Sequence, residues 1–109
     1  MATSTAADEA ITREGIAALQ RGDAAAARRA FESLLAAGAE PPWLLLAQAC
    51  RMTGDFPAEE AAVDRLLAGR PRDIWGLIVK ADARTRAGDA RAASTFYDAA
   101  LKAAAQLPS

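Results

Sequence analysis

Apolar residues recur along the chain at the three- and four-residue steps of an amphipathic helix. Ile11, Gly15, Ala18 and Leu19 form the first such stretch, and Ala27, Phe31 and Leu34 the second. Trp43, Leu46, Ala47 and Cys50 follow, then Val63, Leu66 and Leu67. The last two are Leu77, Ile78, Ala81 and Arg84, and Ala93, Tyr97 and Ala100. Six helices are predicted. The pair Gly-Asp recurs between them at Gly22-Asp23, Gly54-Asp55 and Gly88-Asp89, at spacings of 32 and 34 residues. Each pair reads as a tight turn: Gly ends one helix in a left-handed conformation, and Asp caps the free N–H groups of the next. A second kind of break, at 38–42 and 69–73, combines Gly with Pro, which cannot continue a helix. The pattern therefore predicts three helix–turn–helix units, at about residues 8–39, 40–73 and 74–107 of a single domain spanning 1–109. The first unit is two residues short, and the deficit is expected in the 38–42 loop. Thr5-Ala-Ala-Asp8 is a capping box for the first helix, and residues 1–4 are expected to fray.

Composition agrees with an all-α fold. Of the 109 residues 31 are alanine, the best helix former, while the β-branched residues that favour strands are scarce. Histidine is absent, which excludes His-based acid–base chemistry, the Ser-His-Asp and Cys-His nucleophile systems and the commonest metal ligand. The single cysteine, Cys50, forms neither an internal disulfide nor a thiolate cage, and its place in the apolar pattern makes it an inert buried thiol. No catalytic, metal or cofactor residue is assigned, and no enzyme activity is expected. A formal net charge of −1 supplies no field that would draw the chain to nucleic acid or an anionic membrane. The apolar runs are far shorter than the ~20 residues of a membrane span, and no secretory signal opens the chain, so a cytoplasmic protein is expected.

At these spacings the residues resemble the tetratricopeptide repeat, with its pattern Trp-x2-Leu-Gly-x2-Tyr, Ala-x3-Phe and Pro over about 34 residues. Trp43-x2-Leu46-Ala47-x2-Cys50 and Pro71 carry it in the second unit. Gly15 and Ala27-x3-Phe31 carry it in the first, and Ala81, Ala93-x3-Tyr97 and Ala100 in the third. The resemblance implies a right-handed α-solenoid of three repeats covering nearly the whole chain. The small residue lets the two helices of a hairpin cross closely, and the large aromatic fills the gap to the neighbouring hairpin. Glu59 departs from the pattern at a small position, and Glu14, Lys80 and Arg84 depart at positions that are usually large and apolar. Lys80-Ala-Asp82, Gly88-Asp89 and Phe96-Tyr97-Asp98-Ala99-Ala100-Leu101 also resemble the helical region preceding the catalytic domain of some bacterial aspartyl/asparaginyl β-hydroxylase-like proteins. Those are iron- and 2-oxoglutarate-dependent dioxygenases with histidine metal ligands. With no histidine, this chain would correspond to the accessory region alone.

In such a solenoid the first helix of each unit lines a concave face. The resemblance places Thr12, Ile16 and Leu19 there from the first unit, and Leu44, Gln48, Arg51 and Met52 from the second. Trp75, Ile78, Asp82 and Arg86 come from the third. A partly apolar groove of this kind suits an amphipathic helix or an extended peptide, with Met52 and Trp75 as anchors. Trp75 has an equal alternative, burial beneath the preceding loop. A carboxylate clamp for acidic tails, a known use of the family, is disfavoured: the corresponding positions are Thr12, Ile16, Leu45, Trp75 and Val79.

The expected function is thus a non-catalytic scaffold that binds a protein or peptide. Arg65, Arg70, Arg72, Arg84, Arg86 and Arg91 are interleaved with aspartates, so neither nucleic acid nor membrane is an expected partner. The last helix carries more apolar surface than one hairpin needs. Phe96, Tyr97, Ala100, Leu101 and Ala104 form a stripe expected to meet a downstream catalytic domain or a second copy of the chain.

Overall fold

The Gly-Asp turns combine two capping devices in two residues. In a computed structural model that describes residues 5–108, Gly22, Gly54 and Gly88 have φ of 79°, 79° and 81°. At the first turn the Gly22 N–H donates to the Leu19 carbonyl at 3.0 Å and the Asp23 N–H to the Ala18 carbonyl at 2.8 Å. Two of the orphan carbonyls of the preceding helix are thereby satisfied. The Asp23 carboxylate then accepts the Ala26 N–H at 3.1 Å and opens the next helix. Asp55 accepts from Ala58 and Asp89 from Ala92, each at 3.1 Å. One aspartate therefore closes the end of one helix and starts another, which leaves no room for a longer loop.

Six α-helices occur among the described residues: α1 (Ala6–Gln20), α2 (Ala24–Ala36), α3 (Trp43–Met52), α4 (Phe56–Gly69), α5 (Ile74–Arg86) and α6 (Ala90–Ala105). No strand occurs among those residues. The all-α reading holds, and the six elements form where the apolar pattern puts them. Thr5 and Asp8 form the expected capping box. The fraying expected of residues 1–4 falls outside the described residues.

The two-residue deficit is not in the 38–42 loop. The break between α2 and α3 spans six positions, 37–42, against four, 70–73, between α4 and α5. The shortening lies chiefly in α3, which has 10 residues against 13 in α5. Gly38 ends α2 in a left-handed conformation, with the Ala39 N–H donating to the Leu34 carbonyl at 2.9 Å. Pro41 and Pro42 then delay the start of α3, since proline has no N–H and biases the residue before it away from helix. Gly69 does not take the same role as Gly38: it remains the last residue of α4 and is not among the glycines with positive φ.

The chain separates after Glu59 into two compact units. In the first, α2 packs on α1 and α3. Ala18, Ala27, Phe31 and Leu34 are buried there, and the Phe31 ring lies directly over Gly15. In the second, Leu77, Ala100 and Ala103 form the centre, with Leu67, Ile74, Ile78, Phe96 and Ala99 packed around it. Gly76 allows close approach, since a Cβ there would sit 3.0 Å from both Leu66 and Leu67.

The turn chemistry carries a direct prediction. Gly54 faces open space, so Gly54→Ala meets no steric neighbour and tests backbone conformation alone. A left-handed conformation costs an L-residue about 1–2 kcal/mol. Urea denaturation should show the variant less stable by about that amount, with an unchanged helical spectrum.

Candidate functional site

Helix α5 carries one face that is exposed at its two ends, at Trp75 and Arg86, and half-buried between them. Trp75, Ile78, Asp82 and Arg86 follow one another at steps of three and four residues, so they share that face. From Trp75 to Arg86 it extends about 16 Å at 1.5 Å per residue. The helix is started by Asp73, whose carboxylate accepts the Gly76 N–H at 2.9 Å. Trp75 sits within the first turn and is 66% exposed. No loop covers it, so the expected alternative of burial beneath the preceding loop does not hold. Ile78 is half-buried against the centre of its unit and supports the face from below. Arg86 is exposed in the last turn.

Asp82 is tied to α6. The Tyr97 hydroxyl donates to the Asp82 carboxylate. That carboxylate, holding the phenolic proton, pushes the Tyr97 hydroxyl above its usual range. Sequence reading put Asp82 on the groove and Tyr97 on the terminal stripe; the structure brings them together. Tyr97 also borders a shallow depression with Thr85 and Ser94 beside the Gly88 turn.

In the first unit, Thr12, Ile16, Leu19 and Leu44 are half-buried, and the Thr12 hydroxyl donates to the Asp8 carbonyl at 2.9 Å. Gln48 is exposed, and Met52 is 48% exposed. Arg51 is exposed but anchored: its Nε lies 3.4 Å from a carboxylate oxygen of Glu59. Glu59 itself is 1% exposed, so the misfit at this small position is met by a cation on α3.

Of the other departures from the repeat pattern, Glu14 is exposed, and Lys80 and Arg84 are paired. Lys80 Nζ lies 2.7 Å from Glu60 and 2.8 Å from Asp64, and Arg84 Nη2 lies 2.7 Å from the other Glu60 oxygen. Sequence reading identified Lys80 and Arg84 as out of place and missed their partners. Lys80 also lies 5.8 Å from the centre of the Phe96 ring, a cation–π distance. Arg84 is therefore committed within the fold.

The terminal stripe divides. Ala100 is 5% exposed and belongs to the centre of the second unit, and Phe96 is partly taken up beside it. This hairpin packing removes Ala100 from any outward surface. Tyr97, Leu101 and Ala104 stay exposed, Leu101 at 69%.

Cys50 is buried, and burial pushes its thiol above the usual range, the reverse of an activated nucleophile. Among the described residues no cluster of three or more His, Cys, Asp or Glu is placed to hold a metal ion. No helix among them is long and apolar enough to cross a membrane. No protein-family model and no curated protein sequence matches the chain.

Proposed function

We propose that the protein is a non-catalytic scaffold that takes a protein segment or peptide along the outer face of α5. Its helical hairpins would be stacked as a tetratricopeptide-like right-handed solenoid of three repeats, working in the cytoplasm. The observation that carries this reading is Trp75, a large aromatic 66% exposed at one end of a helix face. Burying such a side chain in a partner is worth far more than leaving it in water, and tryptophan is enriched among residues that dominate binding. Further along the same face, Asp82 and Arg86 supply one charge of each sign, which would fix the register of a guest. The repeated Gly-Asp turns support the solenoid, since each ends one helix and starts the next by the same local chemistry.

Peptides selected from a displayed random library against the wild-type protein test the proposal. Trp75→Ala should weaken the selected peptides at least tenfold by calorimetric titration, with an unchanged melting profile. Equal affinity for wild type and variant would remove α5 as the binding face.

A further inference from the structure

We infer that the outer face of α6 pairs with the same face of a second copy of this chain, the two helices running antiparallel about a two-fold axis. This surface adjoins the α5 face through the Tyr97–Asp82 hydrogen bond, but the inference does not rest on peptide binding. Ser94, Tyr97, Leu101 and Ala104 follow at steps of three, four and three residues, and all four are exposed. Read along the helix, the order is small, large, large, small. Contact between identical surfaces across a two-fold axis requires that if residue i meets j, then j meets i. Reversing a second α6 against the first sets Tyr97 on Leu101 of the second copy and, in the same register, Ser94 on Ala104. The bulky pair meets at the centre, and small residues let the helices approach on either side.

Charge selects the direction. Asp98 directly follows Tyr97 and Lys102 directly follows Leu101, so both lie along one edge of the apolar face, and both are exposed. In the antiparallel register that edge lies beside its counterpart. Asp98 then falls within about one helical turn of Lys102 from the second copy, and the two-fold axis repeats the pair. A parallel pairing would instead turn the two edges to opposite sides of the interface, where Asp98 and Lys102 meet no counterpart of opposite charge. The face also leaves Leu101, 69% exposed, in water in the isolated chain. One helix against one helix is a small interface, below the ~1,200 Å² at which stable complexes begin, so the association is weak and reversible.

Sedimentation equilibrium of the full chain from ~10 µM to ~1 mM covers the range in which so small an interface associates. The average mass should rise from 11.4 kDa towards twice that value. Leu101→Glu should remain monomeric throughout. Asp98→Lys and Lys102→Asp should each weaken association at least threefold, and the double exchange should restore it. Oxidising a mixture of Ser94→Cys and Ala104→Cys proteins should give the mixed cross-linked dimer in excess of either like–like product. A monomer at every concentration would overturn the inference and leave the face to a further domain or another protein. A dimer indifferent to Leu101→Glu would overturn it too, and so would a predominance of like–like cross-links.

Discussion

Phe31→Ala should cost about 3–5 kcal/mol of stability, the range for removing a fully buried aromatic from a core that cannot collapse around the hole. Phe31 is 0% exposed and packs where α1 and α2 cross. The reciprocal change is as informative. A Cβ placed on Gly15 would lie 2.4 Å, 2.6 Å and 2.9 Å from three atoms of the Phe31 ring. Alanine is the better helix former by about 1 kcal/mol, so propensity alone would favour Gly15→Ala. Overpacking costs about 1–3 kcal/mol, and here the clash is with a rigid ring enclosed on all sides. Gly15→Ala should therefore be net destabilising despite its propensity gain. With Phe31 shortened to leucine the clash is relieved, and Gly15→Ala should turn neutral or favourable. Urea unfolding of the four proteins gives the double-mutant cycle, and a coupling energy near zero would mean that the two positions do not share one packing site.

That pair also marks how far the sequence could be read. Gly15 serves as its type suggests, at the close crossing of α1 and α2. The Phe31 ring, however, lies over it within the same hairpin, where the repeat pattern assigned the aromatic to the gap beside the next hairpin. The Gly-Asp turns were legible for a local reason. A left-handed glycine followed by a capping aspartate is complete within about nine residues and needs no knowledge of the rest of the fold. Loop and helix lengths at the Pro41-Pro42 break were less accessible, because spacing between turns fixes their sum but not its division. Trp75 shows another limit. Periodicity assigned it to a face, but only the path of the preceding loop decides whether that face is covered. Contacts between helices were out of reach: Glu60 lies 20 residues from Lys80 and 24 from Arg84, and Asp82 lies 15 from Tyr97. Those pairings depend on the axial register of one helix against its neighbour, and a single sequence does not specify that register.

Glu60→Gln should produce the second large loss, about 2 kcal/mol at neutral pH. Glu60 on α4 accepts from both Lys80 and Arg84 on α5, and hydrogen bonds to charged groups are worth about 1.5–3 kcal/mol each when removed. The side chains are 15–28% exposed, so water softens the loss below the ~3–5 kcal/mol typical of breaking a fully buried pair. Burial pushes the Glu60 carboxyl upward, but the Arg84 and Lys80 cations outweigh it and hold the carboxyl below its ordinary value of 4.5. A depressed folded value sets the sign. The stability from Glu60 is complete above pH 4.5 and is lost as pH falls through the lower value of the folded state. The gap between wild type and Glu60→Gln should therefore narrow on acidification below pH 4.5 and stay constant from there to neutrality. Asp64→Asn is the internal comparison: its carboxylate is 54% exposed, and its loss should cost less than ~1 kcal/mol. Replacing Glu60, Lys80 and Arg84 together by methionine removes the desolvation cost along with the attraction. That triple variant should match or exceed wild-type stability, because the ions stabilise the fold only relative to one another. Urea midpoints of these variants at pH 7 and pH 3 check the set, and a triple variant as unstable as Glu60→Gln would show that the charges contribute more than mutual compensation.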